Sequence, residues 1–380
     1  MRVSHLSLTS WRNFRTAELE LTPGVTVLIG QNGQGKTNLV EAIGYLSTLS
    51  SHRVSAPHAV IRSGDESAVI RALLQHEDRV VRAELQLNRS TPNRAQLGGA
   101  PAKPRELTRY CHSVMFAPED LAIVRGDPSD RRRFLDELLV QLSPRLAGVF
   151  ADYDRVVKQR TNLLKTARGL SSVSTLEIWN DKLIDLGSEI VAERLELVAR
   201  LSPKISATYR QIVDADHSPQ IMLARSSGSV DAVSDELPRH DRAQIAVELR
   251  AALAEVYPTE RERGQTLIGP HRDELTLRLN ELPVKGYASH GESWSFALAL
   301  KLAAAEVLRE TSQVGDPVLI LDDVFAELDR SRRDRLANAV AAYEQVIITA
   351  AVVEDVPEQL SAQQRFVRAG ELSATPWAGQ

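Results

Sequence analysis

The sequence predicts an α/β protein whose main sheet is assembled from both ends of the chain, with a mainly helical lobe inserted between them. Three observations carry this reading. A short apolar run, Val25–Ile29, leads into a glycine loop and then a helical pattern. A second apolar run, Val318–Leu321, ends in two carboxylates nearly three hundred residues later. Between them, residues from about 128 to 213 carry apolar positions at helical spacing. One sheet drawing on both ends accounts for the two buried runs better than two separate domains would.

The elements follow in order. Val3–Leu8 and Ala17–Leu21 alternate and read as strands, with Pro23-Gly24 as a turn. Val25–Ile29 is a strand buried on both faces. Thr37–Leu49 is a helix with Leu39, Val40, Ile43 and Leu46 on one face. Residues 68–98 alternate as an antiparallel meander, 99–107 read as a loop, and Ser113–Phe116 is a short strand. Asp127-Pro128-Ser129-Asp130 opens a helix with a capping residue, proline at the first position and acid in the first turn. Two further helices are expected over Pro144–Ala167 and Ser174–Leu201, then a polar loop over Ser226–Asp241 and a helix over 243–256. Glu274–Leu279 is a strand, 291–311 a helix, Val318–Leu321 a buried strand, 330–342 a helix and Val346–Ile348 a third buried strand. The expected divisions are 1–120 and 261–380 as two parts of one head, and 121–260 as the inserted lobe.

Composition narrows the classes. The chain has 380 residues, 43% apolar and 25% charged, which excludes disorder, collagen-like repeats and a disulfide scaffold. A net charge of −4 excludes a surface that coats nucleic acid indiscriminately, but leaves room for a local basic patch. The lone Cys111 excludes intramolecular disulfides and a cysteine-rich metal site. With no H-x-x-x-H either, a zinc site is not expected. No apolar stretch reaches membrane-spanning length, and the start lacks a signal-peptide run, so a soluble cytoplasmic protein is expected.

The chemistry is concentrated in three places. Gly30-Gln31-Asn32-Gly33-Gln34-Gly35-Lys36-Thr37 fits G-x-x-x-x-G-K-[ST]. The glycines let backbone N–H groups turn inward around phosphate oxygens, and the following helix adds its dipole. Lys36 places a cation at the β- and γ-phosphates, and the Thr37 hydroxyl is a ligand for Mg²⁺. The context of buried strand before and helix after points to nucleotide binding. Second, Asp322 at the end of its strand is placed to hold Mg²⁺, and Asp323 to orient or deprotonate a water. Third, Ser289 and Gly291 stand at the start of a strong helix, an arrangement able to meet an anion.

Loop, helix start and acidic strand in this order resemble the ATP-binding cassette heads of the SMC/Rad50 class. Ser289-His290-Gly291-Glu292 resembles their signature motif, with Glu292 where the wider class has glutamine, and Leu328-Asp329 resembles the D-loop. Finer motifs are similar to those of the RecF family of bacterial recombination mediators. They are Trp11-Arg12-Asn13-Phe14-Arg15, Asn32–Ala42, Phe116–Leu121, Gly126–Asp136, Gly269–Leu275 and Leu321–Asp329. Phe116–Leu121 occupies the Q-loop region of such heads. The switch histidine of transporter cassettes is replaced here by Ile348-Thr349-Ala350, so slow hydrolysis is expected.

The resemblance implies an ATP-gated DNA-binding protein acting in DNA replication, recombination and repair after DNA damage, within the SOS response. It implies a homodimer in which one copy's P-loop holds ATP and the other's Ser289 and Gly291 meet the γ-phosphate. DNA, as duplex or single-strand/duplex junction, and RecR and RecO are the implied partners, and a weak DNA-dependent ATPase the implied activity. An ABC-type transporter subunit and a P-loop small-molecule kinase are the alternatives.

The DNA surface is the least determined. Residues 121–170 hold ten Lys/Arg and six Asp/Glu, a local excess of four positive charges. Arg131-Arg132-Arg133 opens a helix whose dipole does not favour cations. Phosphate contact, pairing with acids of the other lobe and a solvated face all remain open, and the cluster Arg330, Arg332, Arg333 and Arg335 is similar.

Overall fold

Strand Gly24–Ile29 lies second in from one end of the parallel part of a six-stranded sheet. The order is Glu371–Ser373, Gln363–Arg368, Gly24–Ile29, Gln345–Ala350, Val318–Asp322, Ser113–Phe116. All neighbours are parallel except the closing hairpin of Gln363–Arg368 with Glu371–Ser373. The sheet therefore draws on both ends of the chain, as the apolar runs require. Its register sets Asp322 opposite Thr349, and Thr349 opposite Leu28. The P-loop, Thr349 and the two acids so leave the sheet at the same edge, the carboxyl ends of the strands.

The computed structural model describes residues 1–54, 56–166, 173–228, 241–360 and 363–377. It divides into two units. The first comprises Met1–Leu121, Ala207–Asp216 and His290–Gln380. Besides the parallel sheet it holds an antiparallel one, ordered Phe14–Glu20, Arg2–Trp11, Ser67–His76, Arg79–Asn88, Arg94–Leu97, Ala100–Ala102. Helix Lys36–Thr48 buries Leu39, Val40, Ile43 and Leu46 in a core shared with Leu6, Leu8, Ile70 and Leu85 of one sheet and Ile320 and Ile347 of the other. Each such side chain contributes about 1.5–3 kcal/mol on burial, so the helix that opens at the P-loop is fixed along its length.

The second unit comprises Ala122–Ser206 and His217–Ser289. It is mainly helical: Pro128–Leu142, Leu146–Thr166, most of Val173–Val213, and Arg242–Arg263. A small antiparallel sheet orders Leu282–Pro283, Glu274–Leu279, Gln220–Ala224.

The expected boundary at 261 is corrected to 289/290. Residues 261–289 belong with the lobe because Glu274–Leu279 pairs with Gln220–Ala224, and Glu274 takes a two-point salt bridge from Arg131 at 2.6 and 3.0 Å. The helix expected to stop at Leu201 runs to Val213 through Pro203, its last residues from Ala207 on lying in the first unit. Leu201, Ile205, Tyr209 and Ile212 are fully buried along it, and this packing outweighs the break that proline favours. Helix Arg242–Arg263 likewise passes Pro258. The expected loop over 99–107 holds a short strand, Ala100–Ala102, and a helical turn, Pro104–Leu107. Ala167 of one expected helix and residues 229–240 of the expected polar loop lie outside the described residues.

Gly269–Leu275 forms a buried polar knot within the second unit. Gly269 has φ 130°, and a Cβ there would come within 2.2 Å of the Tyr153 hydroxyl. His271 Nδ1 pairs with that hydroxyl at 2.8 Å and its Nε2 with Thr266 O at 3.2 Å, and burial pushes the imidazole down to about 4. Arg194 bridges Asp136 (2.8 Å to each oxygen) and Pro270 O (2.7 Å). Of the arginine run, Arg131 holds Glu274 of its own unit, Arg132 donates to Asp273 O at 2.8 Å, and Arg133 pairs with Asp130 at the surface. Pairing with acids of the head does not account for Arg131, since its acid lies in the same unit.

Candidate nucleotide site

The P-loop is wound by its glycines and braced from outside. A Cβ at Gly30 would lie 2.3 Å from Val367 O, so strand Gln363–Arg368 closes directly over the loop's start. Gly35, at φ 112°, ends the loop in a conformation that disfavours a side chain, and a Cβ there would meet Asn13 at 2.7 Å and Phe14 at 2.9 Å. Asn13 Nδ2 donates to Gln34 O at 3.2 Å, and Asn38 Nδ2 donates to Asn13 Oδ1 at 2.7 Å. Trp11 Nε1 donates to Asn38 O at 2.7 Å. Ala369 N donates to Gln34 Oε1 at 2.6 Å. Residues 11–14 therefore serve as the outer brace of the loop, a role their sequence alone did not disclose.

Lys36 is buried. Its Nζ donates to Gly30 O at 2.8 Å and lies 3.5 Å from Asn32 Oδ1 and 3.8 Å from Asp323 Oδ1. The ammonium thus sits inside the loop it belongs to, beside the second acid.

Asp322 and Asp323 are joined by one hydroxyl. Thr349 Oγ1 accepts from the Asp323 N–H at 2.9 Å and donates to Asp322 Oδ1 at 2.6 Å. Thr37 Oγ1 donates to the same Asp322 oxygen at 3.1 Å. Burial pushes the Asp322 carboxyl up to about 6, against the hydrogen bonds from Thr349 and Thr37, while neighbouring Asp323 adds to the rise. Asp323 is half-buried and adopts φ 51°, which points its side chain back toward Lys36. A cavity of about 250 Å³ opens here, lined by Asn32, Pro118, Asp323, Glu327, Thr349 and Asp355. Pro118 carries the Phe116–Leu121 segment into this wall. That segment is tied to the signature helix His290–Thr311 by Lys301, whose Nζ meets Asp120 Oδ1 at 2.7 Å and Met115 O at 2.9 Å.

This geometry has relatives. Residues 2–368 match the family described as RecF/RecN/SMC N terminal domain. The DNA replication and repair protein RecF of Clavibacter michiganensis subsp. michiganensis (strain NCPPB 382) is 56% identical, over 99% of this chain and 96% of that protein. The chain belongs to the RecF family. The RecF protein of Leifsonia xyli subsp. xyli (strain CTCB07) is also 56% identical, over 98% and 99% of the two chains. A solved structure of the recombination mediator protein RecF-ATPrS in the RecFOR pathway superposes with a TM-score of 0.87 at 26% identity, covering 98% of this chain and 97% of that one. An Smc head bound to the C-winged helix domain of ScpA shares the fold, with a TM-score of 0.52 at 13% identity over 98% and 96% of the chains. Family membership leaves the transporter and kinase alternatives without support.

The RecF-family chain thus brings Gly30 to Thr37, Asp322 and Asp323 together at one sheet edge. Gln31, Asn32 and Gly33 form the outer turn of the loop, Gly33 at φ 82°. Ser289 and Gly291 are not part of that cluster. Gly291 stands in the first turn of His290–Thr311, and Ser289 is the residue before it. Thr349 is the main residue that sequence reasoning passed over as a site member. The signal was its position, one residue before the end of a strand adjacent to the acidic one. Among the described residues no group of three or more His, Cys, Asp or Glu is placed to hold a metal ion, and no helix is long and apolar enough to cross a membrane.

Proposed function

We propose that the protein is an ATP-gated DNA-binding clamp that works in DNA replication and recombinational repair with RecR and RecO. The observation that carries this is the joined set of P-loop, Thr37, Asp322 and Asp323, on a chain whose relatives are named as RecF. In this reading the loop N–H groups and Lys36 hold the phosphates of ATP. Thr37 and Asp322 fit Mg²⁺ and would hold it through two hard oxygens that lie 3.1 Å apart at the loop's mouth. The ion would supply charge neutralisation at the β- and γ-phosphates. Asp323 lies beside Lys36 and faces the cavity, where it orients the attacking water.

ATP then favours a two-fold dimer in which the signature helix of one copy, beginning at Ser289 and Gly291, meets the phosphate held by the other. Differential affinity for that state makes nucleotide the gate, and hydrolysis releases it. DNA, as duplex or single-strand/duplex junction, is what the closed dimer retains.

The test is solution mass by light scattering, with Mg-ATP and a short duplex. The parent protein should double in mass only with ATP and carry the duplex with it. Lys36→Ala should stay monomeric and lose ATP-dependent DNA retention, while Ser289→Arg should bind ATP yet stay monomeric. Unchanged DNA retention in Lys36→Ala would overturn the gating.

A further inference from the structure

Lys301 interrupts a buried apolar helix. Residues 297–305 of His290–Thr311 read Ala-Leu-Ala-Leu-Lys-Leu-Ala-Ala-Ala, and every one of them except Lys301 is buried against the core. An apolar residue would pack here without the cost of desolvating an ammonium. The side chain is only 17% exposed, and that of its partner Asp120 15%. A largely buried ion pair adds little to stability over an apolar pair of the same shape. The reason for a lysine here therefore lies in what it holds.

It holds the turn that walls the nucleotide cavity. Strand Ser113–Phe116 pairs with Val318–Asp322, with Phe116 opposite Leu321, so the chain leaves the sheet at the level of Asp322. Ala117 to Asp120 then close a single turn. Asp120 N donates to Ala117 O at 2.9 Å, and Ala117 N donates to Asp120 Oδ2 at 2.8 Å. Pro118 stands in that turn and lines the cavity with Asp323 and Thr349. Glu119, beside it, lies within electrostatic reach of Asp322. Lys301 Nζ spans the pivot, donating to Met115 O at 2.9 Å on the strand and meeting Asp120 Oδ1 at 2.7 Å on the turn. The turn is thus closed by its own bonds, while its angle to the sheet is set by Lys301. The other side holds it weakly. Arg53 stands 3.8 Å from Glu119, both exposed, and His52, within electrostatic reach of Glu119 and Asp120, leaves its buried Nε2 without a hydrogen-bond partner.

We propose that Lys301 is a positioning residue for ATP hydrolysis: acting through Asp120, it fixes the turn that brings Pro118 to the cavity of Asp323, and so sets the space in which the attacking water is oriented. This rests on the reading that the site hydrolyses ATP. The P-loop takes its bracing from residues 11–14 instead. Turnover therefore depends on Lys301, and nucleotide affinity does not.

Phosphate release from Mg-ATP, binding of a fluorescent ATP analogue and calorimetric melting decide it together. Lys301→Met keeps the length of the side chain and suits the helix. Its kcat should fall about ten- to a hundredfold, the order expected when a reacting group is misplaced, with KM and analogue affinity within about twofold of the parent. Asp120→Asn keeps the acceptor for Ala117 N and should lose turnover to the same degree, which gives the answer should Lys301→Met not fold. The double variant Lys301→Met/Asp120→Asn leaves neither partner as an unpaired charge. It should melt with the parent and yet hydrolyse as slowly as either single variant. If the double variant regains both melting and turnover, or if KM rises as kcat falls, the pair serves packing and the inference fails alone. Parent-like kcat in both single variants also overturns it alone. A parent protein that releases no phosphate from ATP would overturn the reading of the site together with the inference.

Discussion

Replacing Asp322 by asparagine should stabilise the nucleotide-free protein at neutral pH while abolishing its use of nucleotide. Asp322 is 2% exposed, and burial lifts its carboxyl from 3.8 to about 6. Well below pH 4 the group is protonated in both folded and unfolded chains, and its charge costs nothing. As pH rises the unfolded chain releases the proton first, so stability falls through the interval and the loss is complete above about pH 6. The folded state then carries a penalty of about 1 kcal/mol at pH 4.5 and roughly 3 kcal/mol at pH 8. Asparagine keeps the shape and the acceptor for Thr349 and has no charge to bury. Calorimetry in EDTA, without nucleotide, should therefore show the first unit of Asp322→Asn melting with a growing advantage from pH 4.5 to pH 8. The two units need not unfold together, so the transitions are resolved rather than read as one midpoint. A difference that is flat across this range, or a variant less stable at pH 8, would refute the claim that the acid is held at a cost to the fold.

Two further changes test the supports of the site. Thr349→Val leaves the Asp323 N–H without its acceptor and removes the 2.6 Å donor to Asp322. It should cost about 1–3 kcal/mol, raise the Asp322 carboxyl further and slow ATP hydrolysis, with Thr349→Ser restoring both melting and turnover. Arg12→Ala strands Glu41, which is 1% exposed and held by Arg12 at 2.5 and 2.7 Å. About 3–5 kcal/mol should be lost from the first unit's melting, and the added change Glu41→Gln should return part of it.

The sheet was legible because its strands are buried on both faces. Val318–Leu321 reads as an uninterrupted apolar run, Val25–Ile29 as one broken only by Thr26, and Ser113–Phe116 was placed to the residue. The P-loop and the two acids were legible because their chemistry fixes residue types at fixed spacings. What could not be read was long-range pairing. Nothing local in Glu274–Leu279 says that it pairs with Gln220–Ala224, so the strand was found and assigned to the wrong unit. The edge hairpin Gln363–Arg368 with Glu371–Ser373 was missed because Gln363, Gln364 and Arg365 carry no apolar run. Helix ends failed at Pro203 and Pro258 because proline states a local preference that buried neighbours override. For Arg131 the sequence left phosphate contact, pairing with acids of the other lobe and a solvated face undecided, because its acid, in its own unit, lies 143 positions away in the chain.

Thr349 also bears on why the predicted hydrolysis is slow. A hydroxyl has one proton. With the Asp323 N–H donating to its oxygen, that proton is directed to Asp322 Oδ1 at 2.6 Å rather than to Asp323 Oδ1 at 3.4 Å. It is then unavailable to a phosphate. Where transporter cassettes place a histidine after the last core strand, this chain reads Ile348-Thr349-Ala350, and the hydroxyl of that stretch is committed to the acid that would hold the metal. Lys36, tied to Gly30 O and lying beside Asp323, is the cation inside the loop. Beyond Lys36 and the Mg²⁺ that Thr37 and Asp322 would hold, we infer that further charge stabilisation at the γ-phosphate comes from the second copy. On this argument hydrolysis waits for the second copy, so the lifetime of the closed dimer is set by how completely the partner's helix start engages. That predicts a total hydrolysis rate rising with the square of protein concentration at low occupancy of the dimer, and a total rate merely proportional to concentration there would place the missing charge within a single copy.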